Sequence, residues 1–170
     1  MIDFNKDVMP LKNKFYRLAL RVSQDSAEAQ DITQETLVRL WKRTDSLQTA
    51  AEAEALGMTI CRNLSLDSLK RAGRDNERLD SQADYPAATA VADSPFESLT
   101  RQERSQMVLD KINALPARQR EVLQLRDIEG YSYKEIVAAL GITEEQVKVT
   151  LFRARQALKQ LLMKQNDYGL

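Results

Sequence analysis

The sequence predicts an all-α protein made of two small helical domains joined by a flexible acidic linker. Three observations carry that prediction. Nearly every periodic stretch repeats its apolar residues at intervals of three and four, and none sustains the alternation of a strand. Capping signals stand ahead of those stretches, and residues 73–97 interrupt them with a polar, acid-rich segment. The length, 170 residues, suits one compact domain or two small ones.

Residues 1–22 place Val8, Leu11, Phe15, Leu18 and Val22 on one stripe. Asp25-x-x-Glu28 opens a second helix, with Ile32, Leu37, Leu40 and Trp41 along one side and Trp41 expected in the core. Thr49-x-x-Glu52 opens a third, in which Leu56, Ile60, Leu64 and Leu69 lead to Arg71 and Gly73 supplies the stop. These elements form a first domain, residues 1–72.

The linker is assigned to residues 73–94. Across 73–97, Arg74 and Arg78 stand against Asp75, Glu77, Asp80, Asp84, Asp93 and Glu97, a net of −4. A stretch this long without periodicity belongs between domains rather than inside one. Ser94-Pro95-Phe96-Glu97 then restarts helix with a serine N-cap, a proline at the first helical position and a capping box.

The second domain, residues 95–170, is expected to hold four helices. They run from Pro95 to Ala114, from Pro116 to about Ile128, from Tyr133 to Leu140, and from Thr143 to about Met163. Ser132-x-x-Glu135 and Thr143-x-x-Gln146 are capping boxes, and Gly141-Ile142-Thr143 is a tight connection between the last two helices. That is a helix-turn-helix pattern.

Composition removes most enzyme classes. There is no histidine, so no imidazole acid or base and no His-containing zinc site. The single cysteine, Cys61, allows no internal disulfide and no Cys-rich metal cage, which suits a reducing cytoplasm. None of the five glycines has phosphate-loop spacing. The carboxylates are not grouped in an apolar setting that would shift a pKa. A non-enzyme with no cofactor and no metal is expected. No eighteen-residue apolar run occurs, and MIDFNKDVMPLK lacks a signal-peptide core, so neither membrane insertion nor secretion is expected.

Binding surfaces remain. In the last helix Val147, Leu151, Ala154, Leu158 and Leu161 fall on a core-facing stripe, which leaves Lys148, Thr150, Arg153, Arg155 and Lys159 on the other side. Between Thr143 and Lys164 five cations oppose Glu144 and Glu145, a net of +3. Cations neutralise phosphates and short side chains reach base edges, so this face suits a DNA major groove. A solvated basic face on a small bundle is the competing reading. Arg62, Asn63, Asp67, Lys70 and Arg71 form a polar face that either holds nucleic acid or is merely hydrated. Asp31, Gln34, Glu35 and Arg39 form a wet face or match a polar partner helix.

Together, three segments resemble the sigma-70 family of bacterial RNA polymerase sigma factors, in its extracytoplasmic-function (ECF) group. AQDITQETLVRLW (29–41) is similar to the polymerase-binding motif, and ICRNLSLDSLKR (60–71) to the helix that reads the −10 element. LPARQREVL through QALKQLL (115–162) is similar to the −35-reading helix-turn-helix.

The resemblance implies a factor that binds core RNA polymerase and directs promoter-specific initiation. It implies that Asp31, Gln34, Glu35 and Arg39 meet the clamp helices, and that the second domain touches the flap. Asn63 would contact the −10 strand, with Arg62, Lys70 and Arg71 on phosphates. Thr143, Lys148, Val149, Thr150, Arg153 and Arg155 would lie at the −35 groove. Promoter DNA and core polymerase are the implied partners, and an anti-sigma factor is a further candidate. Two departures stand out. Leu56 falls where a tryptophan is common, and Thr150 where an arginine is common, which points to an altered −35 sequence. The alternatives are a helix-turn-helix regulator acting without polymerase, and a helical adaptor that binds only protein. Segment 29–41 separates the first reading from the second, because a stand-alone regulator has no use for a clamp-binding helix.

Overall fold

The computed structural model describes residues 1–73 and 100–168, with side chains to residue 164. All regular structure among the described residues is helical. The linker 74–94 and the helix start at Ser94–Glu97 lie outside the described residues.

The first unit opens with short helical turns over Phe4–Leu11, with Pro10 at their second step, and continues as α1 (Lys12–Ser23). Helix α2 (Ser26–Lys42) starts where the Asp25 side chain accepts the Glu28 N–H, and α3 (Ala50–Arg71) where Thr49 accepts from Glu52. The three helices pack against one another. Val8, Leu11, Phe15, Leu18 and Val22 are all buried, as the stripe requires. Gly57, in the middle of α3, lies under the Phe15 ring, where a Cβ would come within 2.3 Å of a ring carbon.

Trp41 is a correction. It is 64% exposed, because Leu40 takes the inward position at the end of α2 and the next residue lies about 100° further round the axis. Between α1 and α2 the chain turns at Gln24, which adopts the left-handed conformation (φ 59°) with no glycine to mark it.

In the second unit α4 (Arg101–Asn113) begins at a capping box of Thr100 and Glu103, five residues beyond the proline expected to start it. Thr100 has an extended backbone, so no single helix spans 95–114. Next come α5 (Ala117–Leu123), a π-turn over Gln124–Ile128, α6 (Tyr133–Leu140) and α7 (Glu144–Tyr168). The Ser132–Glu135 capping box is complete, and Gly141 closes α6 at φ 68°. Val147, Leu151, Ala154 and Leu161 are buried and Leu158 is half-buried. Each fully buried Leu or Val side chain contributes about 1.5–3 kcal/mol.

The two units do not stand apart. Helix α3 packs on α6, and α1 on α5 and the π-turn, so one apolar core runs through both.

Candidate nucleic-acid interface

The C-terminal half of α3 presents Asn63, Asp67, Lys70 and Arg71 to solvent, as the sequence implies. Lys70 and Arg71 also complement the negative end of the helix dipole. Arg62 does not share that exposure. It is 8% exposed and turned toward α5, where Nε donates to Glu121 Oε2 at 3.0 Å and Nη2 to Oε1 at 3.1 Å. One residue earlier on α3, Cys61 is fully buried and its thiol donates to the Phe15 carbonyl at 3.1 Å. Burial pushes that thiol up to about 12, which leaves it un-ionised at neutral pH.

Asp31, Gln34, Glu35 and Arg39 all lie on the outward face of α2. Arg39 Nε donates to Glu35 at 2.9 Å, an i,i+4 pair open to water. Val38 and Trp41 are exposed beside them and add an apolar component that the sequence reading had sent to the core or passed over. A mixed charged and aromatic patch is what a protein partner engages, because aromatic anchors supply area and the charges supply register.

At the helix-turn-helix, α7 starts with a reciprocal cap. Thr143 Oγ1 accepts the Gln146 N–H at 3.1 Å, and Gln146 Oε1 accepts the Thr143 N–H at 2.9 Å. Thr143 is therefore exposed but occupied in capping the start of α7. Lys148 is outward, 3.3 Å from Glu144, with its ammonium 5.4 Å from the Tyr133 ring centroid. The Arg126 guanidinium lies 4.5 Å from the same ring, so two cations flank one aromatic beside the helix start. Val149 is exposed and Arg153 half-buried. Arg155 is outward and grips Asp127 through two bonds of 3.0 and 2.6 Å; the hydrogen bond to Asp127 raises its already high pKa.

Thr150 is a second correction. It is 1% exposed, because it stands three residues after Val147 and four before Ala154, inside the core stripe rather than opposite it. Phe152, which the sequence reading passed over, is 64% exposed on the outward side of α7. Its position five residues after buried Val147 and two before buried Ala154 was the available signal.

Beside this region, α4, α5 and α7 frame an apolar groove of about 660 Å³. Val108, Leu109, Ile128 and Leu158 line it, and Arg101 and Arg104 stand among its polar residues. Among the described residues no three His, Cys, Asp or Glu side chains are grouped to hold a metal ion. Nor is any helix among them long and apolar enough to cross a membrane.

Two helical units, one ending in a helix with an exposed polar and basic face and the other in a capped helix-turn-helix, fit the class of helical DNA-binding proteins. Family comparison narrows it. Residues 8–75 match the model for sigma-70 region 2, and residues 105–158 the model for sigma-70 region 4. The chain is 32% identical over 156 residues to the ECF RNA polymerase sigma factor SigE of Mycolicibacterium smegmatis, covering 91% of this chain and 60% of that protein. It is 33% identical over 145 residues to the ECF sigma factor SigL of Mycobacterium tuberculosis, covering 85% of this chain and 80% of SigL. A solved structure of the sigma factor RpoE with the anti-sigma factor NepR, from Bartonella quintana, superposes with a TM-score of 0.69 at 28% identity; 95% of this chain and 97% of that one are covered. The chain belongs to the ECF group of RNA polymerase sigma factors in the sigma-70 family.

Proposed function

We propose that the chain binds core RNA polymerase and directs initiation at a set of promoters, acting in the cytoplasm and performing no covalent chemistry. One observation carries this over a stand-alone DNA-binding regulator. The same chain that holds a capped helix-turn-helix also turns Asp31, Gln34, Glu35, Val38, Arg39 and Trp41 outward on α2, a mixed charged and aromatic face that a stand-alone regulator has no use for.

In this reading residues 1–72 dock on the polymerase clamp through α2 and take the −10 strand through Asn63, Lys70 and Arg71, with Arg62 joining them once it is freed. Residues 95–170 place Lys148, Val149, Arg153 and Arg155 at the −35 groove, with Thr143 fixing the start of the helix. The exposed Val149 and the outward Phe152 favour contact with thymine methyl groups over guanine. The groove framed by α4, α5 and α7 suits an apolar helix of a protein partner, either the polymerase flap or an anti-sigma chain of the kind bound to RpoE.

The test is assembly with purified core enzyme. The wild-type chain co-elutes with core on gel filtration, whereas Glu35→Lys, which reverses a charge on the docking face, loses co-elution and keeps its helical circular dichroism. Normal assembly by Glu35→Lys overturns the assigned face, and failure of the wild type to assemble overturns the function.

A further inference from the structure

Arg62 is the one cation of the −10 helix that the second unit covers. Its guanidinium meets Glu121 in a two-point fork, and the paired side chains are 9% and 2% exposed. Arg118 Nε reaches the same carboxylate at 3.1 Å, so Glu121 sits between two guanidinium groups. A carboxylate and a phosphate offer the planar guanidinium the same pair of acceptor oxygens, and one fork holds one of them at a time.

The surrounding contacts are also polar. Arg17 donates to Glu129 at 2.7 and 2.9 Å, Arg21 to Gln124 at 2.9 Å and to Asn113 at 2.6 Å, and Gln24 to the Asn113 carbonyl at 2.6 Å. These polar contacts lie beside the apolar packing of α3 on α6 and of α1 on α5, so the latch opens only when that shared core parts as well.

We propose that the chain is self-latched: Glu121 stands on Arg62 where a nucleic-acid phosphate would, so closure of the two units and strand capture by Arg62 exclude each other. The proposal deepens the promoter-reading function and rests on it for the role of Arg62. The anion that opens the latch is a single-stranded nucleic-acid backbone, whose phosphates reach the exposed Lys70 and Arg71 on the same helix first.

The full-length chain supplies the test, with Glu121→Gln and Glu129→Gln combined to weaken both carboxylate contacts. A compact chain of this length has a radius of gyration of about 16 Å. Small-angle scattering of the wild type should sit near that value, and the double variant should expand by several ångströms with unchanged helical content. A fluorescent mixed-sequence single-stranded 20-mer should bind the double variant about tenfold tighter than the wild type. Asp110→Asn, a loss of negative charge on α4, should show no such gain, and adding Arg62→Ala to the double variant should abolish it. Equal radii for wild type and double variant overturn the latch. So does expansion with no gain in strand affinity, or a gain that survives Arg62→Ala. None of these readouts contains polymerase, so a failed latch leaves the assembly test above untouched, and failed assembly leaves the scattering result standing.

Discussion

Arg120 crosses from the second unit and ends on the backbone carbonyl of Val22, with its Nη2 atom 3.2 Å from that oxygen. Its Nε donates to the Arg21 carbonyl at 3.0 Å and its Nη1 to the Leu115 carbonyl at 2.6 Å. The last carbonyls of a helix have no partner within it, and at α1 the Gln24 N–H satisfies only that of Leu20. A side chain 98 residues away in sequence therefore caps the end of α1. It is 1% exposed, so the capping is dry.

Arg120→Met keeps the volume and removes the donors. Each buried carbonyl left unpaired costs about 1–3 kcal/mol, so a loss of about 3 kcal/mol in unfolding free energy is expected. Urea denaturation followed by circular dichroism measures it. A change below about 1 kcal/mol would show that water replaces the cap.

Gly57→Ala sets two effects against each other. Alanine gains about 1 kcal/mol of helix propensity, while the new methyl meets the Phe15 ring at 2.3 and 2.8 Å and Leu40 at 3.0 Å. Phe15 and Leu40 are both fully buried and have little room to yield, and overpacking costs about 1–3 kcal/mol. The net expectation is a lower melting temperature, partly restored by adding Phe15→Leu. A rise in melting temperature for Gly57→Ala alone contradicts the packing argument.

Glu129 makes the closed form acid-sensitive. Burial pushes its carboxyl pKa up, but hydrogen bonds from Arg17 and Gln124, with the charges of Arg17 and Lys14, outweigh burial and hold it below the ordinary 4.5. A carboxyl with a depressed folded pKa stabilises fully above its unfolded value and loses that contribution as pH falls through the folded one. The contribution is thus intact at neutral pH and drains away below pH 4.5. Urea midpoints taken from neutral pH down to about pH 3.5 should fall less steeply for Glu129→Gln than for the wild type. Parallel curves would show that Glu129 is not coupled to folding.

Lys148 is the outward cation nearest the start of α7. Lys148→Ala should weaken promoter binding by the holoenzyme and reduce the slope of log affinity against log salt by about one unit. An unchanged slope would place Lys148 off the phosphate backbone.

Much of the fold was legible because its signals are local. The caps at Asp25, Thr49, Ser132 and Thr143 each depend on a partner three residues away, and all four form. Gln24 was not legible, since its left-handed turn is enforced by packing rather than by a glycine. Trp41 and Thr150 were misplaced because each lies within one or two residues of true core positions, where a helical stripe changes from buried to exposed over about 100°. The contact between the units was not legible at all. Arg21, Arg62, Arg120 and Glu121 resemble ordinary surface charges, and no local pattern identifies a partner 59 to 103 residues away. The one available hint was Arg120, three residues from both Ala117 and Leu123, inside an apolar phase of α5.

Run-off transcription on fragmented genomic DNA from the source organism, using purified core enzyme with and without the chain, tests the central claim most directly. Discrete transcripts that appear only when the chain is added, and that vanish with Glu35→Lys, are the expected result. Core enzyme that yields the same products whether or not the chain is present would contradict it.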